Sequence, residues 1–308
     1  MSLPAAPPLS PAALIVGCGY VGRRLAPRLI ERGVTVFGTS RTAERAAQLA
    51  DLGVRPLIVS VTQPLTFAAL TPAIEQPQLD VYYLVPPGRP NSSPSPRQVV
   101  LGGVAHLVRQ LGRAHVRRAV LASSTAVYGQ RGGQRVDADT PPEAVDERAK
   151  FLLEGERLWR EGSDKHTVVR FAGLYGPGRI VGLNGLRGGG PLLGDPQALL
   201  NLVHVDDAVE LLLAVMSADD PHPIELGCDG HPVPRIDYYR YLANLLNLPA
   251  PLPLDDDMAA MQLGVSRDRL AQSSSKALDN IPTCRRTGWA PRYPNFRAGL
   301  EAALAASR

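Results

Sequence analysis

The stretch Leu14-Ile-Val-Gly-Cys-Gly-Tyr-Val-Gly22 constrains the fold of this chain more than any other. A short apolar run, Ala13 to Val16, ends in three glycines spaced as G-x-G-x-x-G, namely Gly17, Gly19 and Gly22, and an amphipathic segment follows to Arg32. Gly17 permits a sharp turn out of a strand. Gly19 leaves no side chain between the loop amides and a pyrophosphate, and Gly22 lets the next helix pack closely on the strand. The first amides of that helix have no carbonyl one turn back, and they sit at the positive end of its dipole. A second strand pattern, Thr35-Val-Phe-Gly-Thr39, follows the helix, so the glycines lie at the turn of a β-α-β unit. That context points to a dinucleotide held by Gly17, Gly19, Tyr20, Val21 and Gly22; the alternative is a glycine-rich turn with no ligand.

The second strand, Val34 to Thr39, runs into Gly38-Thr-Ser-Arg-Thr42, with no carboxylate until Glu44. A carboxylate at this point would hold ribose hydroxyls, whereas small hydroxyls beside an arginine suit a 2′-phosphate. Ser40 and Arg41 are therefore expected at an NADP, with NAD left open and a solvated loop arginine as the alternative. Ala43 to Leu52 reads as a helix and Arg55 to Val61 as a third strand. Leu79 to Val85 is almost wholly apolar, as a strand buried on both faces should be. The proline-rich loop Pro86 to Pro96 follows at the carboxyl end of that strand, where crevices form in open α/β sheets, which places Pro86 near the cofactor. A helix over Arg97 to Leu111 and a strand over Arg118 to Ser123 continue the alternation. The fold expected is α/β, a Rossmann-type doubly wound parallel sheet over residues 13–174. Residues 175–308 are expected to complete the sheet and form a smaller C-terminal substrate lobe, and residues 1–12 to be a mobile Pro-rich tail.

Composition narrows the function. Lys+Arg 33 against Asp+Glu 29 gives a net charge of +4, but the basic residues are scattered, so no nucleic-acid face is expected. The 3 cysteines, Cys18, Cys228 and Cys284, are sparse, as in a reducing cytoplasm. No apolar run is long enough to cross a bilayer, and the first dozen residues lack the apolar core of a signal peptide, so a cytoplasmic protein with no membrane partner is expected. Cys228-x-x-His231 has no partner pair, and no metal site is expected. Asp255-Asp-Asp257 reads as a helix start. Asp206-Asp207 reads as helix capping and dipole matching, and Asn201 and His204 are candidates for the substrate cleft.

Four blocks in order carry a family resemblance. Ala122-Ser-Ser-Thr-Ala-Val-Tyr-Gly129 resembles the Ser-Ser-x-x-Val-Tyr-Gly block of extended short-chain dehydrogenases/reductases, the NAD-dependent epimerase/dehydratase family. Val168 to Gly178, Asn201 to Val209 and Gly288-Trp-Ala-Pro291 are similar to three later blocks of that family. The resemblance implies that Ser123 lies at the cofactor and that Ser124 hydrogen-bonds the reacting oxygen. It also implies a Tyr-x-x-x-Lys pair, but no tyrosine occurs between Gly129 and Leu174. The aligned segment is Asp146-Glu-Arg-Ala-Lys150, in which Lys150 would hold the nicotinamide ribose or act in catalysis; a solvated helix lysine is the alternative. Asp146 reads as an N-cap rather than a base. The tight glycine spacing and the missing tyrosine together resemble the atypical branch, which keeps fold and cofactor loop.

Two functions follow. One is an NADP-dependent epimerase/dehydratase-like or reductase-like enzyme acting on a small polar metabolite, with a nucleotide sugar as one candidate. Arg179 and Arg187 are candidates to meet an anionic group of that substrate. The other is a non-catalytic NADP(H)-binding sensor. The helices Arg97 to Leu111 and Glu143 to Arg160 correspond to the family's dimer helices, which leaves a homodimer open.

Overall fold

The computed structural model describes residues 9–88, 92–254, 261 and 275–306. The first half alternates strand and helix: β1 (Ala12–Val16), α1 (Gly22–Ile30), β2 (Thr35–Ser40), α2 (Ala43–Ala50), β3 (Arg55–Ile58), the short α3 (Thr71–Ile74), β4 (Leu79–Tyr83), α4 (Gly103–Leu111) and β5 (Val116–Ser124). The second half carries β6 (Gln134–Val136), α5 (Glu147–Glu161), β7 (His166–Phe171), β8 (Gly173–Tyr175), α6 (Leu183–Arg187), β9 (Leu199–Leu200), β10 (Leu202–His204) and α7 (Val205–Ser217). It ends with β11 (Ile224–Gly227), β12 (Val233–Pro234), α8 (Arg235–Leu245), β13 (Lys276–Leu278), α9 (Ile281–Thr287) and α10 (Phe296–Ala305).

Seven strands form one sheet in the order β11-β7-β5-β4-β1-β2-β3, and every neighbouring pair is parallel. This is the expected doubly wound sheet. The strand order reverses between β1 and β4, the place where carboxyl ends diverge and open a crevice. All five residues of β1 and of β4 are buried, because helices cover both faces of the sheet. Ala13 and Ile15 pack with Leu25 and Leu29 of α1 and Leu212 of α7. Ala12, Leu14 and Val16 face the other way, onto Leu107 of α4 and Trp159 of α5. A third cluster, including Tyr175, Leu202, Tyr238, Phe296 and Leu300, is the core of the smaller lobe.

Three expectations are corrected. The expected tail ends before Ser10, which is buried and whose amide and hydroxyl donate to the Asp80 carboxylate at 3.0 and 2.9 Å, while residues 1–8 lie outside the described residues. Asp80 lies buried within β4 and holds Arg117 at 2.6 Å, so a carboxylate inside the sheet recruits the segment preceding β1 to satisfy its oxygens. The Arg97 to Leu111 helix opens with a wider turn, Gln98–Gly102. His204 rather than Asp206-Asp207 is the N-cap of α7, accepting from the Asp206 amide at 3.3 Å, while both carboxylates lie in the first turn, where they match the helix dipole. The Asp207 carboxylate instead accepts from the amides of Arg292 and Tyr293, at 2.7 and 3.0 Å, and its carbonyl accepts from Trp289 Nε1. The Gly288-Trp-Ala-Pro291 block is thus a clip that ties the chain's end to α7. The Asp255-Asp-Asp257 stretch lies outside the described residues, among which no helix is long and apolar enough to cross a membrane.

Candidate functional site

The glycine loop leaves β1 under strict local demands. Gly17 has φ +83°, and a Cβ there would lie 2.8 Å from Val85 Cγ2, so both handedness and space require glycine. Its amide donates to Thr39 Oγ1 at 2.8 Å, which ties the loop to the end of β2. A Cβ on Gly22 would stand 3.0 Å from Ile15, the close helix-to-strand contact that the spacing implies. Gly19 differs, because nothing lies within 3.9 Å of where its Cβ would be. It borders open space rather than packed protein. No side chain caps α1 at Val21, and its first turn has no acidic residue. A phosphate held by backbone amides fits this cradle.

From the loop a cleft of about 780 Å³ runs over the ends of β4, β5 and β7 to the smaller lobe. It brings together Gly19, Tyr20, Val21, Pro86, Ser123 and Ser124 of the residues expected at the site. Its charged lining residues are Arg148, Arg179, Arg235 and Lys276, and among the described residues no carboxylate lines it. Four cations, with no carboxylate among the described lining residues, suit an anionic occupant.

Ser124 ends β5 and accepts from the Ala126 amide at 3.2 Å, which fixes the hydroxyl oxygen and leaves its proton to donate into the cleft. Ser123 is committed elsewhere, its hydroxyl donating to Glu156. Glu156 and Arg170 are both buried and pair at 2.6 Å, and Arg170 also donates to the Tyr128 hydroxyl at 2.7 Å. The floor beneath the two serines is therefore a buried ion pair, spanning β5, α5 and β7.

Helix α5 faces the cleft through Arg148 and Leu152. Lys150 lies two residues from each, about 200° around a helix of 3.6 residues per turn. Its side chain is 60% exposed and pairs with Glu147 at 2.7 Å, outside the cleft wall. Lys150 does not line the cleft, and its surroundings are those of a solvated helix lysine, the alternative to a ribose contact. Asp146 is the N-cap of α5 and accepts from the Ala149 amide at 2.7 Å. Asp146→Ala is expected to cost about 1 kcal/mol of stability, as loss of a cap does, and to leave dinucleotide affinity unchanged. Thermal unfolding and a binding titration on the same variant check both halves.

Arg41 is exposed and lines neither the main cleft nor the second hollow, and the Ser40 hydroxyl is engaged with the Thr42 carbonyl at 2.9 Å. That second hollow, about 660 Å³ between α1 and α2, shares Gly19 and Tyr20 with the cleft and carries Arg23, Arg24, Arg45 and Gln48 together with the carboxylate of Glu44. Asn201 lines the cleft, whereas His204 is buried between Tyr175 and Tyr293. Arg179 lines the cleft and Arg187 does not. Among the described residues no group of histidine, cysteine or carboxylate side chains could hold a metal, Cys228 and His231 included.

Sequence reasoning missed Arg148, Lys276 and the Glu156–Arg170 pair. The first was legible in principle, since Arg148 and Leu152 carry the i, i+4 spacing of one helix face. Lys276 has no local signal. It arrives on β13, which pairs with β6 in parallel register, Lys276 opposite Gln134. It is 6% exposed, and burial pushes its ammonium down to about 8.

Comparison with known proteins agrees with this geometry. The sequence pattern of the NAD dependent epimerase/dehydratase family matches residues 13–227. No curated protein matches the chain. Among solved structures, a functionally unknown conserved protein from Silicibacter pomeroyi is 28% identical with a TM-score of 0.75, over 96% of this chain and 98% of its own. MoeE5 in complex with UDP-glucuronic acid and NAD is 22% identical, with a TM-score of 0.76 over 96% and 99% of the two chains. UDP-glucuronic acid 4-epimerase from Bacillus cereus, in complex with UDP-glucuronic acid and NAD, shares the fold at 15% identity, with a TM-score of 0.76 over 96% and 98%. A parallel sheet in this order, an uncapped glycine loop at its switch point, and a family match that spans both make this chain a member of the NAD dependent epimerase/dehydratase family.

Proposed function

We propose that the chain is an NADP-dependent enzyme of the epimerase/dehydratase or reductase type, acting on a small anionic metabolite such as a nucleotide sugar. The observation that carries this reading is one continuous cleft joining the uncapped start of α1 to Ser124, lined by four cations and no described carboxylate. The MoeE5 and Bacillus cereus structures, which hold NAD with a UDP-sugar acid, support a nicotinamide dinucleotide and a nucleotide-sugar substrate, and leave the 2′-phosphate to the titration below. The amides from Tyr20 to Gly22 hold the pyrophosphate, and Pro86 and Val85 wall the neighbouring turn. The bound dinucleotide supplies a reversible hydride acceptor. Ser124 donates a hydrogen bond to the substrate oxygen, and Arg179 and Arg235 meet the anionic end of the substrate. Arg23 and Arg45, in the hollow beside Gly19, join Arg41 as the cations available to a 2′-phosphate.

A parallel titration of the cofactor-stripped protein with NADPH and NADH tests the reading. NADPH is expected to bind the tighter, and Arg23→Ala and Arg41→Ala should each weaken it about tenfold, the worth of one charge-assisted hydrogen bond, with little effect on NADH. Equal affinities unmoved by both substitutions would assign NAD instead, and binding of neither would remove the enzyme reading. A second reading, a dinucleotide-binding sensor, is favoured by the absence of tyrosine between Gly129 and Leu174 and by the outward Lys150. Ser124→Ala separates the two, because an enzyme loses turnover whereas a sensor keeps both cofactor and partner binding.

A further inference from the structure

We infer that Arg148 recognises a carboxylate of the substrate on the Ser124 side of the cleft, so that the substrate is a sugar acid rather than a neutral sugar. The inference rests on the enzyme reading above and deepens it, naming a group that the substrate must carry and the residue that selects for it.

The arginines of the cleft come from two sides. Arg179 runs into Ile180 and Val181, and Arg235 opens α8; both stretches pack on the core of the smaller lobe. Arg235 Nη1 is held by the Leu193 and Asp195 carbonyls at 2.8 and 3.4 Å, and the Arg179 guanidinium lies 5.6 Å from the centre of the Tyr20 ring. Arg148 comes from the opposite side, on α5, which packs against β5 and against the Thr125–Val127 turn that leaves Ser124. An occupant whose phosphates meet Arg179 and Arg235 therefore presents its other end to Ser124 and Arg148.

The charges of α5 show what Arg148 is not for. Each carboxylate of the helix and its cap is engaged elsewhere. Asp146 accepts from the Ala149 amide, Glu147 pairs with Lys150 at 2.7 Å, and Glu154 with Arg97 at 3.3 Å. Glu156 pairs with Arg170, and Glu161 with Arg157 at 2.6 Å. Among the described residues nothing forms an ion pair or hydrogen bond with Arg148. It also stands in the first turn of α5, where the helix dipole disfavours a cation. Stability of the helix does not account for an arginine here.

Recognition does. Leu152, one turn on along the same face, is buried, and with Val100 and Leu121 it makes this stretch of wall apolar. Beside apolar surface a charge-assisted hydrogen bond is less screened by water. The planar fork of a guanidinium can meet both oxygens of a carboxylate, with the Ser124 proton as a further donor into the same cleft. An arginine keeps its proton at any relevant pH, so this is a binding role and not proton exchange. A neutral hydroxymethyl group at the same place would leave the guanidinium without a counter-charge.

The test is a calorimetric titration of the full chain loaded with reduced dinucleotide, which accepts no hydride, so that binding is read without turnover. The probes are UDP-glucuronic acid and UDP-glucose, which differ by a carboxylate against a hydroxymethyl group. The wild type is expected to bind the acid about 10- to 100-fold more tightly, the worth of a charge-assisted pair. Arg148→Met should bring that ratio to within about twofold of one. Arg160→Met removes the same charge from an exposed position of α5 outside the cleft wall and should keep the ratio. A wild type without preference for the acid, or a preference that survives Arg148→Met, overturns the inference. Arg148→Met is also expected to melt no lower than wild type, and a large loss of stability would make Arg148 structural and remove its role in selection. If neither UDP-sugar binds, the nucleotide-sugar reading falls, and free glucuronate against glucose, followed by ligand-observed NMR, decides Arg148 alone. Glucuronate bound by the wild type and lost in Arg148→Met sustains the inference; glucuronate unbound, or bound equally by both, overturns it.

Discussion

Gly19→Val is expected to abolish measurable dinucleotide binding, a loss of at least about 100-fold, while leaving the thermal transition within a degree or two of wild type. The two halves follow from one geometry. A Cβ at Gly19 meets nothing within 3.9 Å, so the folded chain accommodates the branch. The space it would fill lies at the wall of the cleft and of the hollow between α1 and α2, where a pyrophosphate must approach the loop amides. A hundredfold loss corresponds to about 2.7 kcal/mol, roughly what forfeiting one or two charge-assisted amide contacts removes. Calorimetric titration with NADPH alongside a melting curve checks it. Near-normal affinity would mean that the loop does not hold the phosphates. The same substitution at Gly17 would not be informative, because its φ of +83° and its contact with Val85 would unfold the turn itself.

Glu156→Leu is the other large effect, and here stability falls. Arg170 is 2% exposed, and its guanidinium is neutralised by Glu156 through three hydrogen bonds of 2.6 to 3.2 Å. Removing the carboxylate leaves a buried charge without compensation and takes the acceptor from Ser123, at a cost of about 3–5 kcal/mol. Adding Arg170→Met should recover much of that cost, because replacing both members removes the unpaired charge. A double variant as unstable as the single one would show that the pair matters for the geometry of β5 and β7 rather than for its charges. Denaturant unfolding of the two single variants and the double variant decides between these outcomes.

Much of the frame was legible because it is encoded locally. The fully apolar runs at β1 and β4 mark strands with helices on both faces, and the spacing of Gly17, Gly19 and Gly22 marks the turn between β1 and α1. The boundaries of β1, α2 and β5 stand within about two residues of where periodicity puts them. What went astray was less local. Asp80 is the one carboxylate in an otherwise apolar strand, and its need for partners within the sheet is what draws Ser10 into the core. Lys150 matched a motif by alignment, but the face that a helix presents is set by how its apolar residues pack, and α5 turns Arg148 and Leu152 inward.

The sequence by itself determined the β-α-β start, the parallel sheet and the family, because strand period, helix period and glycine spacing act over a few residues. The tertiary structure alone decided which charges share the cleft. Lys276 reaches Tyr128 across 148 residues of chain, and Glu156 reaches Arg170 from another element of the fold. No periodicity records such a meeting. It results from sheet order and lobe closure, in which apolar burial fixes the backbone and the buried polar groups then take the partners it brings within reach.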